Sequence, residues 1–161
     1  MAPERTGNKI YPKRPPRLYR VFLRPFYFVT FNTYQRLNLL ATVEAHDAFH
    51  SFCERAQDHN IAVGRYVLLP DHIHLFVALS SEGVTLPRWI QALKSVLGKK
   101  LLTLSHNKPH WQEGFFDHLL RSSENYGQKW DYVRMNPVRA GLSKTPEGWP
   151  YQGEIPRLSY D

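Results

Sequence analysis

The stretch Tyr66-Val67-Leu68-Leu69-Pro70-Asp71-His72-Ile73-His74-Leu75-Phe76-Val77-Ala78-Leu79 constrains this chain more than any other. Apolar residues fill it on both sides of Pro70-Asp71, where proline presets φ and aspartate can bond the backbone that follows. It predicts two strands, Ile61 to Leu69 and His72 to Ser80, joined by a tight turn. Side chains alternate faces along a strand, so His72 and His74 point the same way while Ile73 packs on the other side. Two imidazoles so placed can converge on one ion. A His-x-His pair is also a common structural or solvent-facing arrangement, so its meaning depends on what surrounds it.

The flanking pattern supplies a fold. Phe26 to Thr33 is aromatic and β-branched and predicts a first strand. Val43 to His59 places Ala45, Phe49, Phe52, Cys53 and Ala56 near helical spacing, with Asp58-His59-Asn60 as its end; His46, His50 and His59 read as surface or boundary residues. Leu86 to Leu104 carries Trp89, Ile90, Leu93, Val96, Leu97 and Leu101 on one stripe and Arg88, Lys94, Lys99 and Lys100 mostly off it, an amphipathic helix with a solvated basic face. After Asn107-Lys108-Pro109, Trp111 to Phe116 predicts a fourth strand. Strand, helix, strand, strand, helix, strand is the order of an α+β, ferredoxin-like arrangement: an antiparallel four-stranded sheet with two helices on one face. The other face would be free for a ligand.

Ser122-Ser123-Glu124 then opens a further helix that runs to Asn136 and is stopped by Pro137. Within it Tyr132 and Asn136 are four residues apart and share a face. Asn136-Pro137-Val138-Arg139-Ala140-Gly141 reads equally as an N-cap, a proline at the first helical position and a terminating glycine. Tyr132 reads equally as a residue packing helix on sheet.

Charge is distributed unevenly. The chain has 161 residues and a net charge of +7, enough length for one well-filled domain. Seven basic residues (Arg5, Lys9, Lys13, Arg14, Arg17, Arg20 and Arg24) face only Glu4 in residues 1–24, whereas the remainder is nearly balanced. With Pro3, Pro12, Pro15 and Pro16 among them, these residues predict an extended basic arm preceding a single domain over 25–161. Such an arm can be a solubilising tail or a phosphate-binding segment whose contribution falls with salt. The lone Cys53 excludes an intramolecular disulfide and a multi-thiolate metal site. With no apolar run of about 18 residues and no signal-peptide core, the expectation is a soluble, cytoplasmic protein without a membrane partner.

Three blocks in order, Leu69-Pro70-Asp71-His72-Ile73-His74-Leu75, Trp111-Gln112-Glu113-Gly114-Phe115-Phe116-Asp117-His118 and Tyr132-Val133-Arg134-Met135-Asn136-Pro137-Val138-Arg139-Ala140-Gly141-Leu142, resemble the single-tyrosine HUH transposases. The Tyr-x-x-x-Asn-Pro-Val ending looks like the branch associated with repetitive extragenic palindromes, the REP-associated tyrosine transposases. The resemblance spans about residues 26 to 155. It implies a ferredoxin-like fold whose last helix carries the nucleophile Tyr132, with His72, His74 and Asn136 as ligands of a divalent metal, Mg²⁺ or Mn²⁺. It further implies a single-stranded DNA partner with palindromic hairpins. Two departures stand out: many members have Asn where this chain has Asp71, and the insertion-sequence branch has Gln where this one has Asn136.

The residue types suit that chemistry. Phosphodiester cleavage needs a nucleophile, charge neutralisation on the non-bridging oxygens and support for the departing 3′ oxygen. A tyrosine adduct conserves the phosphoester link for rejoining without ATP. Two neutral imidazoles and an amide oxygen leave a metal its full charge, and the nitrogen pair suits Mn²⁺ at least as well as Mg²⁺. Lys129 and Arg134 are candidate phosphate contacts beside Arg5, Lys9, Lys13, Arg14, Arg17 and Arg20 on the arm; they read equally as solvent-exposed helix charges. Trp149-Pro150-Tyr151 reads as an apolar latch for the C-terminus. The leading expectation is a metal-dependent single-stranded DNA endonuclease and strand transferase. The alternatives are a catalytically silent binder of hairpin DNA or RNA, and a histidine-based nucleotide hydrolase, which a longer alternating His run would favour. Monomer and homodimer both remain open.

Overall fold

In a computed structural model, which describes residues 19–20, 25–80, 82–156 and 158–159, the Pro70-Asp71 hairpin forms the middle of the sheet. Its strands are β3 (Ala62–Leu68) and β4 (His72–Ala78), and β2 (Phe26–Asn32) lies antiparallel along the far side of β4. On the outer side of β2, β5 (Phe116–Leu119) completes the order β5-β2-β4-β3, the four-stranded ferredoxin-like arrangement the sequence predicts.

Two details differ from expectation. The fourth strand begins where the predicted one, Trp111 to Phe116, ends. Gly114 adopts a left-handed φ of 79° and turns the chain there, while Trp111 makes only an isolated bridge to Thr33. Its indole instead turns inward, donating Nε1–H to the Lys94 carbonyl at 2.9 Å and lying edge-on to Phe31. Secondly, β6 (Gln152–Glu154) adds a fifth strand outside β3. Gly153 permits the approach, since a Cβ there would lie 2.8 Å from the Tyr66 hydroxyl. A separate parallel pair joins β1 (Tyr19–Arg20) to β7 (Leu158–Ser159).

One face of the sheet is closed by α1 (Val43–Arg55) and α2 (Leu86–Thr103). Thr42 caps α1 by accepting from the Ala45 N–H, and Asn60, at a left-handed φ of 59°, ends the short 3₁₀ turn that follows. Ala45, Phe49 and Cys53 of α1 and Trp89, Ile90, Leu93, Leu97 and Leu101 of α2 are buried on Val29, Phe31, Val63, Tyr66, Leu68, Ile73, Leu75 and Val77. Lys94 departs from the predicted solvated face: its ammonium turns to the Gln112 and Gly114 carbonyls at 3.1 and 2.6 Å and clamps that turn onto α2.

The opposite face is not free. Across it lies α3 (Ser123–Val133), capped by the Ser122 hydroxyl, which accepts from the Asn125 N–H. Tyr126 and Val133 bury against Phe26, Phe28, Val67 and Phe76, with Trp130 partly covered beside them. Trp149 closes the end of this second core, its Nε1–H donating to the Leu68 carbonyl at 2.8 Å, so the C-terminal segment is latched as the sequence suggests. Among the described residues, no helix is long and apolar enough to cross a membrane.

Candidate active site

The helix predicted to reach Asn136 stops at Val133. Pro137 has no N–H to give the Val133 carbonyl, so a turn at Arg134-Met135 separates α3 from the short α4 (Asn136–Arg139). Asn136 is therefore the first residue of α4 and not its N-cap; Met135 holds the cap position without a side-chain bond. The glycine ending is as expected, with Gly141 at a φ of 72°. Arg139 reconnects what the turn divides. Its guanidinium donates to the Tyr132 carbonyl at 2.8 Å and to Asn136 Oδ1, and it sits 4.2 Å from the centroid of the Tyr132 ring. Tyr132 itself is 64% exposed.

The histidines lie on the α3 face of β4, as alternation requires, with ring centroids 4.8 Å apart and planes nearly perpendicular. Each is held through Nδ1. His72 Nδ1 lies 2.7 Å from Asp71 Oδ1. An ionised carboxylate only accepts, so that nitrogen carries the proton and Nε2 keeps its lone pair. His74 Nδ1 lies 2.7 Å from Thr30 Oγ1 on the neighbouring strand, and the ring stacks on Phe28. With Nδ1–H donating to Thr30, its Nε2 is likewise available. Fixing the outer nitrogen of a histidine so that the inner one can ligate is how metal sites orient imidazoles.

The surroundings keep both rings neutral. Burial, followed by the charges of His72, Lys129, Arg36 and Arg139, pulls His74 down to about 3. His72 is also lowered, because burial outweighs the opposing pull of Asp71. Burial works against ionisation of Asp71, yet its bonds to His72 and Arg36 hold the carboxyl below its usual range. Arg36 Nε donates to Asp71 Oδ2 at 2.9 Å from a turn in which both Gln35 and Arg36 have left-handed φ, 49° and 57°. That strained turn carries a guanidinium to the edge of the histidine pair.

The two halves meet through α3. Lys129 Nζ lies 4.7 Å from the centroid of Phe28, the ring stacked on His74, and Lys129 and Arg139 both bear electrostatically on His74. Among the described residues, no hydrogen bond joins Tyr132 or Asn136 to the histidines. Arg134 points elsewhere, pairing with Glu147 at 2.9 Å. Arg5, Lys9, Lys13, Arg14 and Arg17, and the side chain of Arg20, lie outside the described residues.

Sequence reasoning passed over Thr30, Asn32, Arg36 and Arg139. The first two were within reach: pairing β2 antiparallel to β4 sets Thr30 opposite His74 and Asn32 opposite His72, on the polar end of a face that begins with Phe26 and Phe28. Among the described residues, no cluster of three His, Cys, Asp or Glu side chains could hold a metal.

No protein-family model matches the chain. It is 26% identical over 126 residues to the REP-associated tyrosine transposase of Escherichia coli (strain K12), a match spanning 78% of this chain and 73% of that protein. A second curated relative, named for the same family and from Haemophilus influenzae, is 29% identical over 118 residues, spanning 67% of this chain and 65% of the relative. Among solved structures, one of a REP-associated tyrosine transposase bound to a REP hairpin superposes with a TM-score of 0.63 at 25% identity, covering 86% of this chain and 81% of that one. Two curated relatives and one solved structure therefore agree: in sequence and in fold, the chain is similar to the REP-associated tyrosine transposases.

Proposed function

We propose that this protein is a metal-dependent single-stranded DNA endonuclease and strand transferase, acting at hairpins of repetitive palindromic elements through a covalent phosphotyrosine. The observation that carries the reading is the orientation of His72 and His74. Both Nδ1 atoms are engaged, no hydrogen bond reaches either Nε2 among the described residues, and the pair lies under the helix that bears Tyr132.

In this reading His72, His74 and the Asn136 carboxamide would hold a divalent cation, which would supply positive charge to offset the charge that develops on the phosphate and the leaving group. Tyr132 gives up its phenolic proton to solvent water, and its oxygen bonds to phosphorus. The bond from phosphorus to the 3′ oxygen breaks, and that oxygen leaves as a hydroxyl once reprotonated. Arg139 orients the Tyr132 ring and sets a guanidinium beside the incoming phosphate, while Lys129 and Arg36 extend the positive rim. Asn136 Oδ1, now held by Arg139, has a second lone pair for the cation.

Labelled single-stranded hairpin DNA incubated with the protein and Mn²⁺ or Mg²⁺ should give a covalent adduct on a denaturing gel. Tyr132→Phe and chelator should each remove it. His72→Ala and His74→Ala should abolish cleavage while retaining much of the hairpin affinity. Robust cleavage in chelator sinks the metal assignment; tight hairpin binding with neither nick nor adduct under either metal establishes a silent binding factor instead.

A further inference from the structure

Asn32 closes β2 as the cross-strand partner of His72, just as Thr30 partners His74 two residues earlier. Directly opposed residues of antiparallel strands carry their side chains on one face, with Cβ atoms about 4.5–5.5 Å apart. The strand thus sets a carboxamide beside the first histidine and a hydroxyl beside the second. Thr30 Oγ1 is bonded to His74 Nδ1. Asn32 Oδ1, in contrast, is buried and, among the described residues, has no hydrogen-bond partner.

The backbone holds it there. The Asn32 carbonyl accepts from the Gln112 N–H at 3.0 Å, and the next residue, Thr33, donates its N–H to the Asp71 carbonyl at 2.9 Å. Buried amide oxygens are almost always paired, because a desolvated acceptor without a donor is costly. An orphan beside a neutral imidazole whose outer nitrogen is already committed is an oxygen waiting for a positive partner. Asn136 differs in this respect, since its Oδ1 already accepts one hydrogen bond, from the Arg139 guanidinium.

We infer that Asn32 Oδ1 is a ligand of the divalent cation held by His72 and His74, an oxygen donor supplied by the sheet itself. The inference rests on the metal-centre reading above. A donor set enriched in amide oxygen favours Mg²⁺ and Mn²⁺ over softer ions.

The test is Mn²⁺ titration of metal-free protein, followed by the electron paramagnetic resonance of free Mn²⁺, for the wild type, Asn32→Ala, Asn32→Asp and His72→Ala. Thermal unfolding of each metal-free protein accompanies it. Asn32→Ala should weaken Mn²⁺ binding about tenfold or more, and Asn32→Asp should bind at least as tightly as the wild type. Metal-free Asn32→Ala should unfold at or above the wild-type temperature, because the buried acceptor it removes has no partner among the described residues. Wild-type Mn²⁺ affinity in Asn32→Ala, alongside loss in His72→Ala, overturns the inference and leaves the metal centre standing. A lowered metal-free unfolding temperature for Asn32→Ala also overturns it, by showing a structural partner for the amide. Absence of Mn²⁺ binding by the wild type removes the metal-centre reading itself.

Discussion

The two faces of the sheet are made from alternate residues of the same strands, yet they are finished in opposite ways. Beneath α1 and α2 the strands present Val29, Phe31, Ile73, Leu75 and Val77, a continuous apolar surface. Beneath α3 the same strands begin apolar, with Phe26, Phe28 and Phe76, and become Thr30, Asn32, His72 and His74 toward one end. The first face concentrates the burial that stabilises the domain. That leaves the second free to hold polar groups in fixed geometry, each at a desolvation cost that a partner must offset.

The largest effect should come from the first face. Phe49 is fully buried, its ring centroid 4.7 Å from that of Tyr66. Phe49→Ala should cost about 3–5 kcal/mol in urea unfolding, while the protein that remains folded binds Mn²⁺ as the wild type does. Equal losses of stability and metal affinity would break the division between the faces.

The second effect belongs to the site face and follows pH. His74, near 6.5 in an unfolded chain, is pulled down to about 3 by burial and by the neighbouring positive charges. Between those values the unfolded chain takes up a proton that the folded one refuses. Stability is therefore fully present above about pH 6.5 and lost as pH falls toward 3, by an amount on the order of a few kcal/mol. Lowered His72 and His46 act in the same direction. Urea unfolding at pH 7 and pH 4.5 measures the loss, and His74→Gln, which cannot titrate there, should reduce it. An unchanged slope in that variant would assign the acid sensitivity to His46 or His72 instead.

How far the sequence carried the fold and the site follows from the same contrast. Period-two and period-three-to-four patterns of apolar residues located β2, β3, β4, α1 and α2 within a few residues, because those elements are organised by the core they bury. The errors fell where burial does not decide. Phe116–Leu119 is exposed throughout and is held by pairing to β2, so its strand carries no apolar alternation; Gln152–Glu154 is three residues long and owes its place to Gly153 lying against Tyr66. Motif residues were legible because chemistry restricts their type. Their partners were not, since Thr30 and Asn32 gain meaning only from a register, and Arg139 only from the turn that Pro137 imposes.

The smallest effect should sharpen the comparison most. Asp71 does two things: Oδ1 fixes the His72 tautomer, and Oδ2 pairs with Arg36, a half-exposed contact worth under about 1 kcal/mol. Asparagine keeps an acceptor oxygen for His72 Nδ1–H and gives up only the charge. Asp71→Asn should therefore change stability by less than about 1 kcal/mol and Mn²⁺ affinity by only a few-fold, whereas Asp71→Ala, which frees the ring, should lose about tenfold or more in affinity. Calorimetric Mn²⁺ titration of both variants separates the roles. If asparagine loses as much as alanine, the site face depends on the carboxylate charge beside His72; if it does not, the face is held together by hydrogen-bond geometry, in which an amide serves as well as an acid.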